Sequence, residues 1–157
     1  MIRGVHHLAI STPDLDRLVD HYERWFGFER CGGGGWEKGN QRVDQMVGLD
    51  GSAARYEMIR LGNLYIEVFQ YSSTQGRACQ PSTCDHGLTH LCLYSDDVLA
   101  DYDRLCALGM EFNCEPGGTG ATRATYGRDC DGNVVELLQI VNTESRFGFE
   151  RAVPSAA

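Results

Sequence analysis

The sequence predicts an α+β fold made of two βαβββ modules. The main observation is an internal repeat, in which the stretch HLAI beginning at His7 recurs as HLCL beginning at His90, 83 residues later. Each stretch is followed by an Asp and a helical pattern, and a Gly-Asn pair precedes Glu67 in one half and Glu136 in the other. In the remaining runs apolar and polar residues alternate, and β-branched and aromatic residues are frequent. We therefore expect the two halves to fold alike.

The first module is expected over residues 4–71. Apolar residues at helical spacing predict a helix at 14–26, with an Asp to cap its start and a Gly to end it. Gly62-Asn63 predicts a tight hairpin, and the glycines at 32–35 predict a flexible or tightly bent loop. The β-rich runs predict strands at 4–11, 28–36, 53–61 and 64–71.

The second module is expected over residues 87–141, after a polar linker at 72–86. Its helix is predicted at 96–108, and Asp131-Gly132 predicts a hairpin. Its strands are predicted at 87–94, 110–114, 122–128 and 133–141. For the tail at 142–157 two alternatives stay open. Phe147 and Phe149 dock on a neighbour, or the tail frays.

The composition sets the class of protein. With 157 residues, 42% hydrophobic and 23% charged, the chain is expected to be one globular domain over 1–157. A net charge of -8 disfavours nucleic acid as a partner, and the sequence has no apolar run that predicts a membrane span. The first residues do not resemble a secretory leader, so a cytoplasmic location is expected. Seven cysteines without a C-x-x-C pair favour reduced thiols.

Two histidines and two glutamates recur at equivalent positions of the halves. Because strand side chains alternate between faces, His7 and His90 match on the first strand, and Glu67 and Glu136 match on the last. A two-fold pairing of the halves would bring all four together. Two imidazoles and two carboxylates suit one divalent cation such as Zn, Ni, Co, Mn or Fe. Both glutamates lie in apolar runs, where an unpaired charge is costly to bury, so a metal site is favoured.

Each of these residues has a simpler interpretation when taken alone. An isolated strand histidine is commonly hydrogen-bonded in or beside a core, and an isolated strand glutamate commonly faces water. His6 is expected to point away from His7 and to have a structural role only. Glu57 is a weaker candidate for an acid or base near the cleft.

Alternation outward from the four ligands predicts the wall of a substrate cleft. The alternative is that these side chains only fill the space between sheets. Cys92 among them is expected to be a small packing residue and not a nucleophile. The predicted wall is mainly apolar and aromatic, and consists of Ala9, Ser11, Tyr65, Phe69, Cys92, Tyr94 and Leu138.

Four segments carry a resemblance to a known family. They are HHLAISTPDLDRLVDHYERWFGFE, NLYIEVFQY, GLTHLCLYSDD and YGRDCDGNVVELLQI. Together they resemble the vicinal oxygen chelate superfamily, which includes glyoxalases, bleomycin resistance proteins and extradiol dioxygenases. The resemblance covers residues 4–141, and the last segment is similar to the family's R-D-P-D-G-N-x-x-E-L hairpin, with Cys130 in place of the Pro.

The resemblance implies two βαβββ modules whose mixed sheets form a cupped half barrel around a divalent metal. The order His7, Glu67, His90 and Glu136 is similar to the ligand order of the glyoxalase I branch. This branch implies a metal-dependent lyase or isomerase, which moves a proton through a metal-bound enediolate of a small oxygenated substrate. Glu136 would then be the base, and Glu67 the opposite carboxylate.

Two alternatives stay open, namely an extradiol-type dioxygenase and a non-catalytic resistance protein that binds a small molecule such as an antibiotic. Arg55, Arg123 and Arg128 are candidates to hold an anionic group of a substrate. A homodimer is expected, because small two-module proteins of the look-alike family commonly cover sheet edges with a second chain.

Overall fold

The computed structural model of the protein describes residues 1–73, 76–78, 80–142 and 144–149. The chain divides into two compact units, Met1–Ala78 and Cys79–Ala157. Their boundary falls inside the polar segment 72–86 that was expected to be a linker. Each unit contains one copy of the internal repeat. Residues 150–157 of the expected tail lie outside the described part of the chain.

The first unit is a four-stranded mixed sheet with two helices. Its elements are β1 (His7–Ser11), α1 (Leu15–Phe26), β2 (Glu29–Trp36), α2 (Gln41–Val47), β3 (Ala54–Leu61) and β4 (Leu64–Tyr71). The strands lie in the order β1-β4-β3-β2, with β1 parallel to β4 and the other pairs antiparallel. The predicted strands and the predicted helix of this module are confirmed, with differences only at their ends. The hairpin at Gly62-Asn63 is also confirmed, since Leu61 pairs with Leu64.

Helix α1 is amphipathic, and its buried stripe forms the core of the first unit. The side chain of Asp14 accepts a hydrogen bond from the Arg17 amide at its start, and Gly27 ends it with a left-handed φ of 79°. The core consists of Leu15, Leu18, Val19 and Tyr22 from the helix with Ile59, Ile66 and Val68 from the sheet. Alternation along β1 and β4 places His7 and Glu67 on the other face of the sheet.

Two features of the first unit differ from the sequence-based expectation. Helix α2 was not predicted, because none of its residues is buried and it therefore lacks an apolar stripe. Its only signals are the capping residues Asn40 and Gly48. The glycines at 32–35 lie inside β2 and do not form a loop. A Cβ on Gly33 would come within 2.2 Å of the Tyr56 carbonyl oxygen, so the close approach to β3 requires glycine there.

The second unit is a three-stranded sheet with one helix. Its elements are β5 (Leu91–Tyr94), α3 (Val98–Ala107), β6 (Thr122–Arg128) and β7 (Val134–Ile140). The strands lie in the order β5-β7-β6, with β5 parallel and β6 antiparallel to β7. The side chain of Asp97 accepts a hydrogen bond from the Ala100 amide and so caps α3, as Asp14 caps α1. Val98 and Leu105 are the buried residues of this helix. The α+β class is confirmed.

The predicted strand at 110–114 is wrong. Only Phe112 in this segment bridges β6, at Gly127, and a second isolated bridge joins Gly117 to Ala124. Between the two bridges the chain bends at residues 113–115. Pro116, which has no amide hydrogen, follows the bend, so a regular ladder cannot continue through it.

The second predicted hairpin is longer than expected. Strands β6 and β7 are joined by residues 129–133 and not by Asp131-Gly132 alone. The six cysteines that the structure describes are free thiols. In the same described residues, no helix has the length and apolar character needed to cross a membrane.

Candidate metal centre

The first unit places His7 and Glu67 side by side. His7 begins β1, and Glu67 lies in the middle of β4, where it pairs with Ala9. Because β1 and β4 are parallel and in this register, both side chains project from the same face. The distance between His7 Nε2 and Glu67 Oε2 is 3.3 Å, and the Glu67 side chain is 20% exposed. Hence one predicted pair of ligands is in direct contact.

The second unit repeats this arrangement. His90 directly precedes β5, and Glu136 on β7 pairs with Cys92, which occupies the position equivalent to Ala9. The distance between His90 Nε2 and Glu136 Oε2 is 3.1 Å, and the Glu136 side chain is 13% exposed. The internal repeat therefore produces two similar His–Glu pairs, one in each unit.

The surroundings of the two glutamates differ. Glu136 lies between Cys92 on β5 and Tyr126 on β6, and strand register places both side chains on the same face as its carboxylate. Burial, followed by the charge and the hydrogen bond of Glu136, raises the pKa of the Cys92 thiol to about 12, although the residue as a whole is solvent-accessible. Burial, then the charge and the hydrogen bond of Glu136, and lastly the neighbouring Cys92 raise the pKa of Tyr126. Both groups are therefore protonated donors at neutral pH.

Glu67 has apolar neighbours at the corresponding positions. Its partners in the sheet are Ala9 on β1 and Met58 on β3, and neither has a side-chain hydrogen-bond donor. Of the two glutamates, therefore, only Glu136 has donor side chains beside it on both adjacent strands. Sequence reasoning missed Tyr126, because its position opposite Glu136 depends on the register of β6 against β7.

Each histidine also contacts the residue directly before it. His7 Nδ1 lies 2.8 Å from His6 Nδ1, and His90 Nδ1 lies 2.9 Å from Thr89 Oγ1. The expectation that His6 points away from His7 is wrong, because His6 precedes β1 and strict alternation does not apply to it. Its ring stacks on Tyr65, with 5.5 Å between the centroids.

The loop before Glu136 explains the local sequence motif. The buried carboxylate of Asp129 accepts hydrogen bonds from the amides of Asp131 and Asn133 and from the Asn133 side chain. Arg128 donates to the carbonyl oxygens of Gly132 and Pro81. These bonds fix the turn that leads into β7, and hence the position of Glu136 on it.

Aromatic side chains continue the face that carries Glu67. Strand register places four of them there, and the centroids of neighbouring rings lie 5.7 to 6.0 Å apart. Trp36 is anchored because its Nε1 donates to Ser52 Oγ at 2.8 Å, and Ser52 donates in turn to Asp44. The four residues of this aromatic row are Trp36, Tyr56, Phe69 and Tyr71.

The residues predicted to line the cleft share faces with the two pairs. By strand register, Ser11, Tyr65 and Phe69 lie on the His7–Glu67 face. In the second unit, Cys92, Tyr94 and Leu138 lie on the His90–Glu136 face. Phe149 from the tail stacks on Tyr94, with 4.6 Å between the ring centroids, whereas Phe147 is 74% exposed.

Several weaker candidates lie elsewhere. Glu57 pairs with Val68 and so lies on the face opposite Glu67, where it accepts a hydrogen bond from the Gly32 amide. Arg55 lies on that same face and is bonded to Asp16 and Gln70. Arg123 pairs with Gln139 on the face opposite Glu136. Arg128 is engaged in the loop described above, so the hydrogen bonds of Arg55 and Arg128 are made within the protein.

The donor sets fit a divalent cation. Two ligands about 2.1 Å from one ion lie roughly 3.0–3.4 Å apart at octahedral or tetrahedral angles. The two N···O distances of 3.3 and 3.1 Å match this spacing. Within either unit, the described residues form no group of three or more His, Cys, Asp or Glu side chains with the geometry to hold a metal ion. The structure thus assembles the ligands as pairs, and the set of four stays a prediction.

A curated relative is similar in sequence. It is a 2-epi-5-epi-valiolone epimerase from Actinomyces sp., 31% identical over 106 residues, which are 66% of this chain. The chain spans only 58% of the length of that relative.

Two solved structures are similar in fold. A glyoxalase family protein from Bacillus cereus has 18% sequence identity and a TM-score of 0.79, with 90% of this chain and 97% of that chain covered. A fosfomycin resistance protein from Listeria monocytogenes, complexed with Mn(II) and sulfate, has 22% identity and a TM-score of 0.59, with coverages of 88% and 93%. At these identities the similarity shows the fold alone.

The sequence profile of one family extends over both units. It matches residues 4–137, which include both histidines and both glutamates. This range also contains the repeated strand–helix pattern from which the two modules were predicted. The chain belongs to the Glyoxalase/Bleomycin resistance protein/Dioxygenase superfamily.

Proposed function

We propose that the protein is a metal-dependent isomerase or lyase of the glyoxalase type, which moves a proton beside a carbonyl group of a small oxygenated substrate. The observation that carries this proposal is the repeated His–Glu pair, with N···O distances of 3.3 and 3.1 Å. The similarity to an epimerase supports the same class of reaction. Inversion of a carbon beside a carbonyl requires the removal and return of a proton.

His7, Glu67, His90 and Glu136 would together supply two nitrogen and two oxygen ligands to one divalent ion, with Zn, Ni, Co, Mn and Fe as candidates. The Mn(II) in the structure of the fosfomycin resistance protein supports a metal of this kind. When bound, such an ion makes the neighbouring C–H more acidic and stabilises the negative charge that develops on the substrate oxygens.

Glu136 is the residue that moves the proton in this proposal. A general base must be held within reach of the proton, and the donor side chains of Cys92 and Tyr126, which lie beside Glu136 on both adjacent strands, would orient its carboxylate. Glu67 is the second carboxylate. It has no such donors on the adjacent strands, and its role is to complete the ligand set and to balance the charge of the ion.

The substrate is proposed to be a small compound with adjacent oxygens and an apolar ring or chain. The aromatic row supports this choice, since stacked side chains offer apolar surface beside Glu67. Ser11, Tyr65, Phe69, Cys92, Tyr94 and Leu138 are the proposed pocket residues.

The test measures exchange of a substrate C–H proton with deuterated solvent, followed by NMR. The panel contains 1,2-dicarbonyl and 2-hydroxy ketone compounds, including 2-epi-5-epi-valiolone, and metal content is determined by elemental analysis. Glu136→Gln should keep most of the metal, because an amide oxygen still coordinates, but lose exchange by about a hundredfold or more. Glu57→Gln is the matched control and should exchange at the parent rate, because Glu57 lies on the opposite face.

Other outcomes would favour the alternatives. Oxygen consumption that depends on Fe(II), without prior exchange, would indicate a dioxygenase. Tight binding of a panel compound without turnover would indicate a binding protein. Undiminished exchange in Glu136→Gln would contradict the role of Glu136 and would direct attention to Glu67.

A further inference from the structure

Each proposed metal-binding histidine has a hydrogen-bonding contact through the ring nitrogen that does not face the glutamate. His7 Nδ1 lies 2.8 Å from His6 Nδ1, and His90 Nδ1 lies 2.9 Å from Thr89 Oγ1. In both cases Nε2 faces a glutamate, at 3.3 and 3.1 Å. His6 and Thr89 are themselves related by the 83-residue offset of the repeat. The same contact therefore occurs twice, with two chemically different partners.

These two partners share one chemical property, because each can both donate and accept a hydrogen bond. A neutral imidazole carries a hydrogen on one nitrogen and a lone pair on the other. When Nε2 donates to the glutamate, Nδ1 needs a donor. When the Nε2 lone pair binds a metal, the hydrogen is on Nδ1, which then needs an acceptor. A hydroxyl or a second imidazole can satisfy both states, whereas a carbonyl oxygen can satisfy only one.

We propose that His6 and Thr89 are positioning residues, which hold the rings of His7 and His90 with Nε2 directed at the metal site in both the metal-free and the metal-loaded protein. The inference rests on the proposed function, because that proposal makes the two histidines ligands. Aromatic rings also pack against His6 and against His90. Tyr65 stacks on His6, and Tyr126 packs edge-on against His90 with 5.3 Å between the centroids.

The first test is the affinity for Zn²⁺, measured by competition with a chromophoric chelator. Thr89→Val removes the hydroxyl and keeps the shape, so the dissociation constant should rise by about tenfold or more. Thr89→Ser restores a hydroxyl, and its dissociation constant should lie within about threefold of the parent value. Thr119→Val is the control for loss of an exposed threonine hydroxyl in the same unit and should match the parent.

The second test reads the tautomer directly from the ¹⁵N chemical shifts of the imidazole rings. In the metal-free parent we expect His90 to carry its hydrogen on Nε2, with Nδ1 as the acceptor. Thr89→Val should shift this population toward the other tautomer, and Thr89→Ser should reverse the shift. A general loss of stability would not move the ring nitrogen shifts in this pattern. Unchanged zinc affinity and unchanged His90 shifts in Thr89→Val would overturn the inference.

His6 is tested in the same way. His6→Phe keeps a ring that can stack on Tyr65 but removes the nitrogen that faces His7. The shifts of His7 should change, and those of His90 should not. Unchanged His7 shifts would remove His6 from the inference. If the parent binds no divalent metal, the proposed function fails, whereas the metal-free spectra still decide whether the hydrogen bonds to His6 and Thr89 exist.

Discussion

Glu67 and Glu136 occupy equivalent strands but have different neighbours. Ala9 and Met58 beside Glu67 are apolar, whereas Cys92 and Tyr126 beside Glu136 are hydrogen-bond donors. The two copies of the repeat therefore differ chemically in the residues next to the proposed ligands. This difference supports the proposal that Glu136 is the residue that moves the proton.

The thiol of Cys92 provides a prediction at the scale of one residue. Its pKa is raised to about 12 by burial and by Glu136, so almost no thiolate exists at pH 8. Iodoacetamide should therefore alkylate Cys92 in the metal-free protein roughly fifty-fold more slowly than free cysteine, after allowance for the higher nucleophilicity of a more basic thiolate. The rate should keep rising as the pH approaches 12. Peptide mass spectrometry of timed samples measures it.

Glu136→Gln serves as the comparison for this experiment. Removal of the neighbouring charge lowers the pKa of Cys92, so alkylation at pH 8 should become faster. Parent labelling as fast as that of free cysteine would show that Cys92 is not shielded in this way.

The apolar stripe of α1 packs into the core of the first unit. Leu18 is 0% exposed and faces the sheet, whereas Arg24 in the last turn of the same helix is exposed. Leu18→Ala leaves a cavity that the surrounding side chains fill only in part. It should lower the free energy of unfolding by about 2–5 kcal/mol.

Urea denaturation followed by circular dichroism measures this loss. Arg24→Ala is the control on the same helix and should change the free energy of unfolding by less than about 0.5 kcal/mol. A similar loss for both variants would mean that α1 is not packed through its apolar stripe.

Local sequence patterns were sufficient to predict some helices and strands and insufficient for others. Helices α1 and α3 were predicted because apolar spacing and an aspartate cap are both local signals. Helix α2 has no buried residue, and only Asn40 and Gly48 mark its ends. The segment 110–114 is rich enough in apolar residues to resemble a strand, but the bend before Pro116 limits it to an isolated bridge. Strand propensity does not include such an interruption.

At the scale of the whole molecule, we predict a homodimer. The family resemblance motivates this prediction, and two apolar side chains at equivalent positions of the repeat, Val5 and Leu88, are 86% and 87% exposed. Sedimentation equilibrium at micromolar concentration should give twice the chain mass. A single species with the mass of one chain would contradict the prediction.

The repeat in the sequence was enough to predict two similar units and the residues His7, Glu67, His90 and Glu136. These predictions rest on periods of 2 and 3.6 residues and on an offset of 83, all of which can be observed in one chain without any contact between distant segments. The contact between the members of each His–Glu pair follows from the parallel pairing of β1 with β4 and of β5 with β7.

The residues that lie next to these four could be identified only from the three-dimensional structure. Strand register aligns segments that are far apart in the sequence, and a shift by one residue would move every side chain to the other face. Register places Tyr126 and Cys92 beside Glu136, and it places Glu57 and Arg55 on the face away from Glu67. The contact of His6 with His7 lies just before β1, where alternation no longer governs the direction of side chains. For this reason the sequence contained the ligand candidates, whereas their hydrogen-bonding partners became visible only once the strands were paired.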